Sequence, residues 1–136
     1  MKGDVVKLRY QETCEGVTAE QLTGFFTHWH NPRTPAEHLA ILQGSDYVVL
    51  AVDEQSGQVI GFVTALTDGV QAAFIPLLEV LPGFRGHGVC SELMRLVLEL
   101  LRDLTAVDLT CNPEMQPFYA RFGMKPSVGA VRRNYN

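Results

Sequence analysis

Hydrophobic residues along the chain follow two different spacings, one typical of β-strands and one typical of a helix. Nearly continuous apolar runs at 47–52 and 59–66, joined by a polar connection, predict two buried antiparallel strands. A further run at 71–81 predicts a strand that continues this meander. From Val89 to Leu104 the apolar residues recur at helical spacing, which predicts a long amphipathic helix with one face on the sheet.

The rest of the chain completes an α/β pattern. The other predicted elements, in chain order, are a strand at 5–10, helices at 18–26 and 36–42, a strand at 106–111, a short helix after 112 and a strand at 126–136. Because a helix separates the runs at 71–81 and 106–111, we expect these strands, the fourth and fifth, to be parallel neighbours. No linker or internal repeat interrupts the pattern, so we expect one domain, residues 1–136.

A proline interrupts the fourth predicted strand. Pro76 has no N–H group to donate to a ladder, so its presence predicts a sheet edge or a β-bulge at this point. A bulge leaves some backbone groups of the strand without partners. We therefore expect this strand to offer free backbone groups to a ligand.

Composition narrows the classes of protein to consider. With 46% hydrophobic and 19% charged residues, the chain has the balance of a soluble globular domain. A formal net charge of −4 and the lack of a basic run argue against nucleic acid as a partner. Cys14, Cys90 and Cys111 have no paired spacing, and no stretch is apolar enough for a membrane span or an export signal. We therefore expect a cytoplasmic protein with no membrane partner.

The turn between the fourth strand and the long helix is the strongest candidate for chemistry. The first N–H groups of a helix lack intrahelical acceptors, and the helix dipole adds positive charge there. Gly86 and Gly88 would let the backbone approach a phosphate closely, and Arg85 adds a guanidinium. The pattern indicates an anion site, although a plain strand-to-helix turn would also use glycines.

Two common phosphate loops do not fit this turn. A Walker loop needs Lys followed by Ser or Thr after its last glycine, and Val89 and Cys90 stand there. The dinucleotide fingerprint needs a third glycine where Ser91 stands. Residues 85–90, RGHGVC, instead closely resemble the pyrophosphate loop R/Q-x-x-G-x-G/A of the GNAT-type N-acetyltransferases. They depart from it only at Cys90, which replaces Gly or Ala.

A second segment resembles the same family. Residues 112–124, NPEMQPFYARFGM, match its signature N-x(6)-Y-x(3)-G-F, with Met124 in place of Phe. Two signatures in the right order are more specific than either one, and the resemblance covers residues 47–125. It implies a GNAT-like α/β fold with a mixed, mostly antiparallel sheet of about six to seven strands and about four helices. It also implies a cofactor crevice between splayed parallel strands four and five.

The resemblance assigns roles to particular residues. It implies that acetyl-CoA is the cosubstrate, with its pantetheine arm along the backbone of 78–80 and its pyrophosphate at 86–91. It also implies that Tyr119 is the general acid near the thioester sulfur. The residues it gives to the cofactor are Leu78, Glu79, Val80, Arg85, Gly86, His87, Gly88, Val89, Cys90, Ser91, Asn112 and Tyr119.

The implied reaction needs a base as well as an acid. A neutral amine attacks the thioester carbonyl, so a carboxylate or a water chain must remove its proton. Glu79 is the candidate base, with Asp108 as an alternative, and either could instead be an ordinary solvated acid. The residues do not identify the acceptor, so a small-molecule amine and a peptide amine both stay open, as does a homodimer.

Other interpretations remain. The fold could hold CoA as a sensor without catalysis, or Cys90 could be a nucleophile, since a helix start lowers thiol pKa. We favour a small loop residue at Cys90. His28, His30 and His38 have no carboxylate or thiol spaced to complete a tetrahedral metal site, so we predict no metal. Trp29 is expected to pack on the sheet or to line a substrate pocket.

Overall fold

A mixed five-stranded sheet in the order β1-β2-β3-β4-β5 forms the centre of the fold. The computed structural model describes residues 6–135. The strands are β1 Leu8–Gln11, β2 Tyr47–Asp53, β3 Val59–Thr67, β4 Ala72–Val80 and β5 Ala106–Asp108, and the helices are α1 Pro35–Gly44, α2 Val89–Leu100 and α3 Gln116–Ala120. Strands β1 to β4 pair antiparallel, and β4 pairs parallel with β5. The predicted meander and the parallel neighbours are confirmed.

Helix α2 covers one face of the sheet, as its spacing predicts. Val89, Leu93 and Val97 are buried in one apolar cluster with the side chains of β2, β3 and β4. The helix comes very close to β3 at Gly61, where a Cβ would lie 3.2 Å from Leu93 Cδ1 and 3.3 Å from Val89 Cγ1. Only a residue without a side chain lets the helix approach β3 this closely. The start of α2 is therefore fixed relative to the sheet.

An aromatic cluster covers the opposite face. Phe25, Phe26 and Phe62 surround the imidazole of His38 on α1, with ring centroids 5.2, 4.9 and 4.3 Å from it. His38 is fully buried, and neither ring nitrogen has a hydrogen-bond partner among residues 6–135. Burial lowers the pKa of His38 to about 4, because the charged imidazolium would lose its hydration. The cluster therefore holds a neutral histidine.

The first predicted helix is much shorter than expected. Only a 3₁₀ turn, Ala19–Leu22, forms, although Gln21 Oε1 accepts from the Thr18 N–H group as the predicted capping box requires. The backbone then enters the left-handed region at Gly24 and at Phe26, with φ of +98° and +66°. These angles end helical geometry, so 23–26 is a loop. The start of the predicted first strand, residue 5, lies outside the described residues.

The ends of the sheet also differ from prediction. Residues 126–135 form no strand: this described segment contains Pro126 and Gly129 and is exposed. β5 ends at Asp108 instead of at 111, because β4 diverges from it and leaves no partner strand. The expectation of six to seven strands and about four helices was wrong for the described part of the chain, which has five strands and three α-helices.

The buried imidazole makes stability depend on pH. His38 titrates near pH 6.5 when the chain is unfolded and near 4 in the fold. The stability that depends on a neutral His38 is therefore fully present above pH 6.5, and it is lost as the pH falls from 6.5 toward 4. We expect His38→Leu, of similar volume, to flatten the decline of unfolding free energy in this window, measured by urea denaturation at several pH values.

The control is His87→Gln, which removes an exposed imidazole and should keep the wild-type pH profile. Carboxyl groups titrate in all three proteins, so the comparison isolates the buried histidine. An identical pH dependence in His38→Leu and wild type would mean that His38 does not stay neutral in the fold.

Candidate functional site

Strands β4 and β5 separate after a short stretch of pairing. They are paired only from Ala72 with Ala106 to Phe74 with Asp108. β4 continues to Val80, so its second half has no strand beside it on that edge in the part of the chain that the structure describes. The sheet thus contains the wedge-shaped gap that the resemblance implies between strands four and five.

A β-bulge lies where the two strands separate. Thr64 pairs with Leu77 and Leu66 with Phe74, so Ile75 and Pro76 together oppose a single residue of β3. This is the bulge that Pro76 predicts. One extra residue reverses the alternation along the strand, so the backbone groups beyond it point in the opposite sense from those before it.

This alternation leaves backbone groups of β4 facing the gap. The Leu81 N–H group donates to the Ile60 carbonyl of β3 at 2.8 Å, which fixes the direction of its neighbours. Because successive residues of a strand point their polar groups to alternate sides, those of Val80 and Leu78 face away from β3. The side chains of both residues lie on the α2 face. The gap is therefore lined by backbone donors and acceptors that no strand uses.

The glycine turn lies at the start of α2, beside this gap. Gly86 and Gly88 have φ of +85° and +76°, and a Cβ on either would meet no atom within 4 Å. Helix α2 begins at Val89, whose side chain is buried, while His87 is exposed and Ser91 half-buried. The open space therefore lies over backbone at a helix N-terminus. A phosphate group fits such a space, because unpaired N–H groups and the helix dipole favour an anion there.

The Arg85 side chain turns back toward β4. Its Nε donates to the Val80 carbonyl at 3.1 Å. Its guanidinium lies close enough to Glu79 and Cys90 to act on the pKa of each. It also lines a cavity of about 210 Å³ on the face of the sheet opposite α2. Arg85 therefore lies between the glycine turn and this cavity.

The cavity brings Glu79 together with the loop before α1. Its lining residues are His28, Trp29, Phe62, Leu77, Leu78, Glu79 and Arg85. The Phe26 N–H group donates to both carboxylate oxygens of Glu79, at 3.2 and 3.3 Å. Burial raises the pKa of Glu79, and the Phe26 hydrogen bond and the nearby Arg85 and His28 only partly oppose the rise. Glu79 is thus a fixed carboxylate with increased basicity.

Tyr119 lies on the other side of the sheet. It is half-buried on α3 against the apolar cluster under α2. Burial raises the pKa of its hydroxyl, and the nearby Cys111 and Cys90 thiols raise it further. Its proximity to Cys90 places it near the start of α2.

A larger cavity separates β5 from the C-terminal segment. It has a volume of about 800 Å³ and is lined by Tyr119, Asp108 and residues 123–129, among others. Asp108, the alternative base, is exposed at this cavity and does not line the smaller cavity that contains Glu79. Asn112 is exposed just after β5, and its side chain caps no helix. The Asn112 side chain is thus open to solvent.

The structure weighs against a nucleophilic Cys90. Burial raises the pKa of its thiol, and Arg85 opposes that rise only in part. A thiol with a raised pKa forms little thiolate at neutral pH. Cys90 therefore fits the small-residue role better than the nucleophile role.

The histidines are dispersed. His28 lines the small cavity, His38 is buried in the aromatic cluster, and the His30 ring lies 4.9 Å from that of Tyr135. Among residues 6–135 no three His, Cys, Asp or Glu side chains are grouped as metal ligands. Within the same range, no helix has the length and apolar character needed to cross a membrane.

Sequence reasoning missed one backbone group that contacts Glu79 and two residues that line the cavity. Phe62 and Leu77 line it, and the former follows from the hairpin register, which pairs Phe62 with Glu79. The Phe26 N–H group gives no comparable signal, because its direction depends on a left-handed φ that is uncommon for phenylalanine. Trp29 also lines this cavity.

Comparisons with known proteins identify relatives. Residues 15–124 match the model of the acetyltransferase (GNAT) family. A crystal structure of a candidate acetyltransferase from Deinococcus radiodurans R1 is 50% identical, with a TM-score of 0.89 over 93% of this chain and 88% of that one. Glucosamine-6-phosphate N-acetyltransferase from Arabidopsis thaliana is 15% identical, with a TM-score of 0.67 over 96% and 99% of the two chains.

A further structural relative was solved with a ligand. It is an aminoglycoside N-acetyltransferase in complex with CoA, 16% identical, with a TM-score of 0.67 over 99% of each chain. No protein with curated annotation matches the sequence. At such low identity this relative shares the fold, while the D. radiodurans protein is similar in sequence as well.

The burial of Glu79 should make the stability of the fold depend on the charge of its carboxyl group. Its pKa is raised above the ordinary value of 4.5, so burying the ionised carboxylate opposes folding. This destabilisation is absent below pH 4.5 and is complete once the pH exceeds the pKa in the fold. Glu79→Gln keeps an oxygen acceptor for the Phe26 N–H group without the charge. We expect its melting temperature at pH 8 to equal or exceed that of wild type.

Glu79→Ala is the matched comparison, because it removes both the charge and the acceptor. It should melt below Glu79→Gln, since the buried Phe26 N–H group then loses its partner. If Glu79→Gln melted well below wild type at pH 8, the ionised carboxylate would be stabilising, against the direction of its pKa.

Proposed function

Because the chain belongs to the GNAT family of acetyltransferases, we propose that it transfers the acetyl group of acetyl-CoA to a primary amine by direct attack. One observation carries the proposal: backbone groups of Leu78 and Val80 face a gap that separates a carboxylate on one side of the sheet from a phenol on the other. A thioester in the gap would be reached by both.

The chain offers suitable groups for each part of the cosubstrate. The N–H groups at the start of α2, with Gly86 and Gly88, would hold the pyrophosphate, together with Arg85, His87, Cys90 and Ser91 around the turn. The backbone of 78–80 would align the pantetheine arm as an added strand would, and Asn112 would contact it from β5. A protein with the same fold was solved in complex with CoA, which supports CoA as a ligand of this fold.

Glu79 and Tyr119 would divide the proton transfers. Glu79 would take a proton from the ammonium or the attacking amine, directly or through water, and its raised pKa improves it as a base. As the N–C bond forms and the C–S bond breaks, Tyr119 would donate its proton to the departing sulfur. The Val80 N–H group, which faces the gap, would stabilise the carbonyl oxygen. No covalent bond to the protein forms, so Cys90 is not needed.

We propose that residues 1–136 act as one domain in this reaction.

The exposed Trp29 at the cavity mouth and the buried Phe62 at its floor give an acceptor apolar contact beside Glu79. Relatives of the same fold are named for amino-sugar and aminoglycoside acceptors. A sensor that binds CoA without catalysis is the alternative, and turnover separates the two.

Binding of acetyl-CoA should depend on the glycine turn. We expect saturating acetyl-CoA to raise the melting temperature of EDTA-treated protein, because a ligand at a hundred times its Kd adds about 2.7 kcal/mol. Gly88→Val should abolish the rise, since its side chain would fill the open space over the turn. Calorimetric titration measures the same loss as affinity.

Gly16→Val is the matched control. Gly16 has φ of +81° and open space around it, so the substitution imposes similar strain at a position outside the turn. It should lower stability and keep the acetyl-CoA shift. If Gly88→Val bound acetyl-CoA like Gly16→Val, the phosphates would lie elsewhere; if wild type showed no shift, the proposed function would fail.

The phenol of Tyr119 should matter for turnover and little for binding. Tyr119→Phe keeps the ring that packs on Phe118, 5.0 Å away between centroids, and removes the hydroxyl. We expect kcat to fall by about 10²- to 10⁴-fold, the usual contribution of a positioned acid, with acetyl-CoA affinity unchanged. Thiol release in the presence of an acceptor amine measures kcat.

Tyr47→Phe, at the exposed start of β2, is the control and should leave kcat unchanged. The amine for the assay comes from a screen of polyamines, amino acids, aminoglycosides and peptide N-termini. Turnover of Tyr119→Phe within a few-fold of wild type would assign the residue to packing and the proton to another donor.

A further inference from the structure

The cavity beside Glu79 contains positive groups as well as the carboxylate. Arg85 and His28 line it, and both lie close enough to Glu79 to act on its pKa. The three side chains come from β4, from the glycine turn and from the loop before α1, so the fold gathers them from separate segments. A neutral alkyl amine would use the carboxylate alone.

The Arg85 guanidinium retains donors for a ligand. Its Nε is bonded to the Val80 carbonyl, which orients the group. The two terminal nitrogens make no hydrogen bond or ion pair among residues 6–135. A guanidinium is always charged and matches a carboxylate or phosphate with two parallel hydrogen bonds. A positioned arginine with unused donors is suited to an anionic group.

The size of the cavity limits the acceptor. Its volume is about 210 Å³, and it is partly open to solvent. A small molecule, or one end of a larger one, fits. In so small a space the amine at Glu79 and any group at Arg85 must be a few bonds apart.

We propose that the acceptor carries an anionic group, a carboxylate or a phosphate, a few bonds from the amine that is acetylated. The amine lies at Glu79 and the anion at Arg85, with His28 beside it. This assignment depends on the proposed acetyl transfer. It gives Arg85 a role in acceptor recognition, apart from any contact with the pyrophosphate.

Matched acceptor pairs test the proposal. The carboxylate pair is an amino acid such as glycine, alanine or β-alanine against its amide. The phosphate pair is phosphoethanolamine against ethanolamine. For each pair we measure kcat/KM at saturating acetyl-CoA, and the melting shift that each compound produces on the CoA-bound protein. We expect at least one anionic member to exceed its neutral partner by about tenfold to a hundredfold in kcat/KM, the range of one charge-assisted contact.

The variant Arg85→Gln tests the residue. Gln retains a donor that can reach the Val80 carbonyl and removes the charge. The ratio of kcat/KM within a pair should fall to near one, because a change in Glu79 or in cofactor binding affects both members equally. Arg102→Gln is the control: Arg102 is exposed just beyond α2, with Glu99 as its ion-pair partner, and should keep the wild-type ratio.

The outcomes separate this proposal from the proposed function. Acetylation of neutral amines with no preference for any anionic member overturns the acceptor assignment and leaves acetyl transfer intact. A preference that survives Arg85→Gln overturns the role of Arg85. If acetyl-CoA binds but no compound is turned over or shifts the melting of the CoA complex, both the acceptor assignment and the catalytic role fail.

Discussion

An extra residue in β4 controls the arrangement of the candidate site. Two residues of β4, Ile75 and Pro76, oppose one residue of β3, and the pairing with β5 stops directly before them. The bulge reverses the alternation of the strand. It therefore determines which backbone polar groups of the residues after it face the gap, and on which surface of the sheet their side chains lie. Proline is tolerated there, since its missing N–H group would face the gap rather than β3. Leu78, Glu79 and Val80 depend on this one irregularity for their directions.

Three energetically unfavourable local features lie close to the site. Glu79 is partly buried as a carboxylate, His38 is buried without a hydrogen-bond partner, and Phe26 has a left-handed backbone. These three features are connected, because Phe26 donates to Glu79 and its ring contacts His38. Strained or poorly solvated groups persist where the surrounding packing holds them, and they concentrate at functional sites. The aromatic cluster supplies that packing here.

The elements that are local in sequence were predictable. The apolar spacing from Val89, the glycine turn and the hairpin of β2 with β3 all depend on neighbouring residues, and the structure agrees with them. The loop at 23–26 was not predictable, because the capping box at Thr18 favours a helix that the left-handed angles stop. The direction of Arg85 depends on a contact with the backbone of β4, which spacing does not encode. The expected final strand at 126–136 came from element order and not from a residue pattern.

The short ladder between β4 and β5 has a consequence for cooperativity within the sheet. β5 is held to the sheet by three residue pairs, whereas β3 and β4 share six, and the helix that connects β4 to β5 packs mainly on β2 and β3. Segments with few shared hydrogen bonds open locally at a lower free energy than the rest of a fold. The amide hydrogens of β5 would therefore exchange earlier than those of β3 and β4. A molecule bound in the gap would contact both strands, so that ligand occupancy and the local order of β5 would rise together.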